Sequence, residues 1–120
     1  MAVTFTDQSF PGTQLVYKWV VTSTTVSDPV RIGAYADKSY AMWGTFGNAV
    51  AIQGSWDNPD GTPAEASFIT LNETDNLTPI SFSAAACGAI LENPVWIRVK
   101  PAAAVTSVTV VITAPWRRNM

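Results

Sequence analysis

The sequence predicts an all-β fold: a single-domain antiparallel β-sandwich, jelly-roll-like, with at most one short helix near residues 84-92. Apolar residues recur with a period of two in one segment after another, which is typical of strands that bury one face. Each segment ends in Gly, Pro, Asn or Asp, the residues that favour turns. The longer connections at 22–29 and 57–64 leave room for Greek-key crossovers, which favour a jelly roll.

The predicted strands divide the chain into short segments. They cover residues 2–6, 15–21, 39–43, 48–53, 66–71, 77–82, 94–99 and 106–113. The last is the clearest, because Val108, Val110 and Ile112 alternate with residues that are mostly threonines. Trp19 shares a face with other large apolar residues of its strand, so we expect it in the core. The 120 residues fit one domain that spans 1-120.

The segment SAAACGAILEN (83–93) is rich in residues that tolerate a helix. Ser83 offers a helix cap and Asn93-Pro94 a stop, so one or two helical turns are predicted there. Cys87 lies among alanines with no base near it in sequence. We therefore expect it to be buried as a small apolar residue and to have no reactive role.

The composition excludes several classes of function. There is no histidine, which removes the commonest zinc ligand and the Ser-His and Cys-His nucleophile pairs. Seven basic residues are scattered over a chain of net charge −2, so we expect no nucleic-acid partner. With one cysteine, no intrachain disulfide is expected. No signal peptide and no bilayer-spanning run is expected either.

The stretch DNPDG (57–61) raises the question of a cation or catalytic site. Asp57 and Asp60 stand near Glu65, and paired carboxylates can hydrolyse glycosides. A calcium loop needs six to eight converging oxygens, whereas Pro59 stiffens the middle of this segment. Pro59 before Asp60-Gly61 is typical of a tight turn. We predict a turn, no catalytic residue, no metal and no cofactor; a cation at Asp57 and Asp60 is the alternative.

Charged residues make up only 13% of the chain, about half the usual share. The chain also contains five tryptophans. This neutrality suggests that part of the surface is covered by another protein. Aromatic residues at strand ends suit a protein interface or stacking on surface glycans. The candidate interface residues are Phe10, Trp43, Trp56, Trp96, Trp116, Arg117 and Arg118. The terminal segments 1-14 and 114-120 are candidate interaction arms, with 2–6 as an alternative edge strand.

Several segments resemble small β-rich virion structural proteins of tailed bacteriophages, encoded among the head genes. The segments are VRIGAYADKSYAMWGTFGNAVAIQGSWDN, SFITLNETD, PISFSAAA and LENPVWIRVK. Together they cover roughly residues 30 to 112, and their order and spacing carry the resemblance. Two features depart from the family pattern: Trp56 replaces a small polar residue, and the tail WRRN has no counterpart.

The resemblance implies a non-enzymatic capsid decoration, or cement, protein. Such a protein would bind the outer surface of the major capsid protein shell and would associate with itself as a dimer or trimer. Its location would be the virion, after synthesis in the cytoplasm of the bacterial host. Two alternatives stay open: a structural protein of the tail or head-tail connector, and a carbohydrate-binding β-sandwich module.

Overall fold

Ten strands and one short 3-10 helix make up the protein in the computed structural model, which describes residues 3–9, 14–33, 35, 37–75 and 77–115. The strands are β1 Val3–Asp7, β2 Gln14–Val21, β3 Val30–Arg31, β4 Ser39–Thr45, β5 Val50–Ser55, β6 Ile69–Thr70, β7 Ser81–Phe82, β8 Ala86–Ala89, β9 Trp96–Pro101 and β10 Ser107–Pro115; the 3-10 helix is Glu65–Ser67. None of the helical structure in these ranges has the length and apolarity to cross a bilayer.

Two five-stranded sheets form a sandwich. Sheet A has the order β1-β2-β10-β4-β8, and sheet B has the order β3-β9-β5-β6 with β7 also paired to β5. All the strand pairs within the described ranges are antiparallel. The successive strands β2, β3, β4 and β5 belong alternately to sheet A and sheet B, so the chain crosses between the sheets as a jelly roll requires. The predicted fold class is confirmed.

The core lies between the inner faces of the two sheets. On β10 the buried residues Val108, Val110 and Ile112 alternate with half-exposed ones, as the sequence predicts. Val110 stands between Trp19 and Met42 on the neighbouring strands, and both are buried. The buried apolar residues are Leu15, Trp19, Val21, Ile32, Tyr40, Met42, Phe46, Val50, Ile52, Leu71, Ile80, Ile90, Ile97, Val99, Val105, Val108, Val110, Ile112 and Ala114.

The helix expected near residues 84-92 is not formed, since Ala86–Ala89 is strand β8 at an edge of sheet A. A side chain at Gly88 would place its Cβ 2.9 Å from Glu73 Oε2 and 3.2 Å from Tyr40 Cε1. Tertiary packing thus overrides a weak local helix preference. Cys87 is also exposed, contrary to the prediction, because it alternates with inward residues and lies opposite Ala41 on the solvent side.

Two other predictions need correction in detail. The segment 66–71 is a strand only at Ile69–Thr70, because the 3-10 helix Glu65–Ser67 precedes it. Within 77–82 the strand is limited to Ser81–Phe82.

The two candidate arms are partly built into sheet A. Val3–Asp7 pairs along its whole length with β2, as the edge-strand alternative predicts, and residues 114–115 end β10. Residues 1–2, 10–13 and 116–120 of these segments lie outside the described residues.

Candidate interaction surface

The outer face of sheet A is broad and nearly uncharged. We call it face A. It consists of Thr4, Thr6, Val16, Lys18, Val20, Ala41, Trp43, Cys87, Thr109, Val111 and Thr113, which alternate along their strands with inward-facing residues. Lys18 is the one charged side chain in this set. A face of five strands with a single charge can be dehydrated at little electrostatic cost.

Trp43 is the largest side chain on face A. It is 48% exposed, while the preceding residue, Met42, is buried beneath the sheet. Trp43 lies directly opposite Thr109 on β10, and Ala41 lies two residues away on the same face. Small and β-branched neighbours leave the indole accessible, so Trp43 has the character of an interface anchor.

The outer face of sheet B differs in charge. Arg98 Nη1 lies 2.7 Å from Glu65 Oε1, and Arg98 Nε donates to Gln53 Oε1 at 2.9 Å. The Arg98 guanidinium also lies 4.1 Å from the centroid of the Phe68 ring. The hydrogen bond from Arg98 lowers the pKa of the Glu65 carboxyl. These contacts cover Arg98 almost completely, so this charge stabilises the sheet and is not presented to a partner.

The candidate interface residues do not form one patch. Trp43 lies on sheet A, whereas Trp96 lies on the outer side of sheet B and Trp56 follows the end of β5. Trp96 is half-buried, with the Arg31 guanidinium 5.0 Å from its ring centroid. Trp56 is 45% exposed. Phe10, Trp116, Arg117 and Arg118 lie outside the described residues.

The DNPDG segment is a turn, as predicted. Gly61 N–H donates to Asn58 O at 3.0 Å, and Asn58 has a positive φ of 49°. Asp57 Oδ2 accepts a hydrogen bond from Ala64 N–H at 2.9 Å, so its carboxylate holds the loop. Within the described part of the chain, no three His, Cys, Asp or Glu side chains are grouped so that they could hold a metal ion.

A buried lysine that the sequence did not reveal lies at one end of the sandwich. Lys38 is fully buried, and its ammonium donates to Asn93 Oδ1 at 2.7 Å and to Tyr35 O at 3.2 Å. Burial lowers the pKa of Lys38, against the opposing effect of Asp37 and Glu92. A lysine in the polar segment ADKS has no sequence signal for burial, so this position was missed.

Two further polar pairs join Tyr40 and Glu92 to the segment that contains Asn72 and Glu73. Glu92 accepts hydrogen bonds from the backbone N–H and the side-chain amide of Asn72, both at 2.8 Å. The Tyr40 hydroxyl donates to the Glu73 carboxylate, and burial together with this bond raises the pKa of Tyr40. Each of these carboxylates is therefore occupied by a structural hydrogen bond.

Three segments that are distant in sequence meet at these polar residues. Segment 35–38 meets segment 92–98 through Lys38 and Asn93, and segment 67–75 joins through Asn72. A side chain at Gly44, in β4, would place its Cβ 2.2 Å from Ser107 O, and the φ of Gly44 is +130°. Lys38, Asn72 and Asn93 thus fix strand connections, which is a structural role.

Comparison with known proteins adds evidence on the fold. A scan of family models and a search of curated proteins found no match. Among solved structures, the chain is similar to a cupin domain from Bordetella pertussis Tohama I, with a TM-score of 0.54 and 8% sequence identity. The match covers 95% of this chain and 93% of that one. At this identity the likeness shows the fold alone: a β-sandwich of the jelly-roll type.

Proposed function

We propose that this chain is a non-enzymatic structural protein that binds a larger protein assembly through face A. The single observation that carries the proposal is a five-stranded face with one charged residue, Lys18, and a half-exposed tryptophan, Trp43. Burial of such a surface leaves few charges unpaired, and a rigid sheet loses little conformational entropy when it binds.

The assembly we propose is the head of a tailed bacteriophage. The chain would be a decoration, or cement, protein on the outer surface of the major capsid protein shell, and it would stabilise that shell. This part of the proposal rests on the resemblance of residues 30 to 112 to phage virion proteins.

The hydrogen bonds that four acidic side chains make within the fold support a non-enzymatic role. Glu65 pairs with Arg98, Glu73 with Tyr40, and Glu92 with Asn72. Asp75 accepts hydrogen bonds from Leu77 N–H and from Thr78, which lower the pKa of its carboxyl. A carboxylate that serves as general base or nucleophile needs an oxygen directed at substrate, whereas each of these four carboxylates has at least one oxygen that holds a turn or a strand in place.

The test is a titration of capsids that lack the protein with the purified chain. We expect saturation at several hundred copies per shell and a raised capsid melting temperature. Trp43→Ala should weaken binding at least about tenfold without unfolding the protein, since an anchor residue contributes about 2 kcal/mol or more. Trp56→Ala, which removes a tryptophan of similar exposure elsewhere, is the matched control. Equal losses in both variants, or no binding by the wild type, would contradict the proposal.

The two alternative functions, a tail or connector protein and a carbohydrate-binding module, predict different results in binding experiments. A tail or connector protein would bind at six or twelve copies per particle. A carbohydrate-binding module would bind a glycan array through Trp56, the exposed aromatic beside a polar turn. The structure favours this second alternative less, because Asp57 Oδ2 and Asn58 Nδ2 are hydrogen-bonded within the turn.

A further inference from the structure

Among the described residues, no strand pairs with the outer side of β1, which is an edge strand of sheet A. It has five residues, whereas the other edge strands β8, β3 and β6 have four, two and two. Short strands, lysine and proline are the usual devices that prevent an edge from pairing with another chain. The sequence of β1, VTFTD, contains neither lysine nor proline.

The hydrogen-bond pattern shows which backbone groups of β1 point outward. Gln8 N–H donates to Val16 O at 2.8 Å, next in register to the pair Asp7–Tyr17. Bonded and non-bonded pairs alternate in an antiparallel ladder, so Thr4 and Thr6 make the bonds to β2. The N–H and C=O groups of Val3, Phe5 and Asp7 therefore point away from β2, along the open edge.

A cleft with a mainly apolar lining lies beside this edge. Its volume is about 610 Å³; Val3, Phe5, Val26 and Val30 supply apolar side chains, and Asp28 is the charged residue among those that line it. Phe5 is 40% exposed at the cleft, although its ring lies 5.3 Å from the rings of both Tyr17 and Trp19. In the part of the chain that the structure describes, the sandwich is thus open between β1 and β3, where an apolar side chain from another strand could be buried.

We propose that a second copy of this chain pairs its β1 antiparallel to this β1, about a two-fold axis at Phe5. This register places Phe5 opposite Phe5 of the second copy, Thr4 opposite Thr6, and Val3 opposite Asp7. Every outward N–H and C=O of Val3, Phe5 and Asp7 then has a partner. The pairing joins the two copies of sheet A into one continuous sheet.

The charges of β1 favour a second copy as the occupant. Asp7 is the one charged residue of the strand, and the two-fold register sets it against Val3, so no like charges face each other. The two-fold axis also keeps inward side chains inward, so the second Phe5 extends the aromatic row of Phe5, Tyr17 and Trp19 over the cleft. A two-fold edge contact of this kind closes as a dimer and cannot form a trimer.

The first measurement is the mass of the purified chain by light scattering. We expect twice the 12.9 kDa of one chain. Phe5→Lys and Phe5→Glu should each raise the dimer dissociation constant at least about tenfold, because like charges would then face each other on the axis. A mixture of the two variants should dimerise again, since Lys then faces Glu. Thr109→Lys, a new charge on face A away from the edge, should stay dimeric.

Val3→Pro provides a second test if the Phe5 variants fail to fold. It removes an outward N–H without breaking a bond to β2, so it should fold and dissociate. The proposal would be overturned if the wild type had the mass of one chain or of three chains. It would also be overturned if the Phe5→Lys and Phe5→Glu variants fold but remain monomeric when mixed. A dimer that does not bind capsids would leave it intact and contradict only the capsid role.

Discussion

Lys38 Nζ donates a hydrogen bond to Asn93 Oδ1 at 2.7 Å and so joins residues 55 positions apart. Lys38 precedes β4 of sheet A, and Asn93 precedes β9 of sheet B. The bond therefore ties together the connections that lead into the two sheets. Ile90 N–H donates to Lys38 O at 2.9 Å and strengthens the same link.

Replacement of Asn93 tests the importance of this link. We expect Asn93→Ala to lower the free energy of unfolding by about 1–3 kcal/mol, because a buried ammonium loses its shorter hydrogen bond. Asn48→Ala, which removes an exposed amide that donates to Ala104 O at 2.6 Å, should cost less. Urea unfolding measures both changes. If the two variants lose the same stability, burial of Lys38 has no special role in the fold.

Val110→Asp tests the central strand of sheet A. Val110 is fully buried, so an aspartate there would bury an unpaired charge. The cost of several kcal/mol, against a total stability of about 5–15 kcal/mol, should prevent folding. Val111→Asp is the matched control, since Val111 faces outward opposite Lys18 and the variant should fold. Circular dichroism and thermal melting report both outcomes; a cooperatively melting Val110→Asp would contradict the strand assignment.

The raised pKa of Tyr40 predicts that the protein loses stability at alkaline pH. Burial, and then the Glu73 carboxylate, raise the pKa of Tyr40 above its ordinary value. The folded state keeps this proton at pH values where the unfolded chain loses it, so the contribution is complete below about pH 10 and declines above it. The difference in unfolding free energy between wild type and Tyr40→Phe should therefore shrink above about pH 10. A difference that is constant with pH would contradict the raised pKa.

The comparison with Tyr40→Phe also isolates this effect from Lys38. The lowered pKa of Lys38 has the opposite sign, since it makes stability rise with pH up to about 10.5. Both proteins contain Lys38, so its contribution cancels in the difference. Absorbance of tyrosinate provides an independent readout. The tyrosine that ionises at the highest pH in the folded wild type should be missing from the titration of Tyr40→Phe.

Cys87 should react in the folded protein. Its side chain is exposed on the outer side of β8, so a thiol reagent should label it without denaturant and without loss of structure. Labelling should be slower when face A is covered by capsid, because Cys87 belongs to that face. A thiol that reacts only after unfolding would show that β8 is not at the edge of sheet A.

The fold class and most of the strands follow from local sequence patterns alone. On β10 the alternation of Val108, Val110 and Ile112 with residues that are mostly threonines fixes which face is buried, because a strand repeats every two residues. The DNPDG turn was equally predictable, since Pro59 and Gly61 satisfy local backbone requirements. The neutral character of the surface was predicted from composition, although not its location on sheet A.

The remaining features depend on contacts between segments that are distant in sequence. Within 83–93, Ala86–Ala89 forms a strand because it pairs with the edge of β4, which a local helix preference cannot show. Burial of Lys38 depends on Asn93, a partner 55 residues away, and the openness of β1 depends on where the sheet ends. The physical reason is common to all three: a local pattern specifies which face of a segment is apolar, whereas its neighbour is specified by contacts between segments distant in sequence.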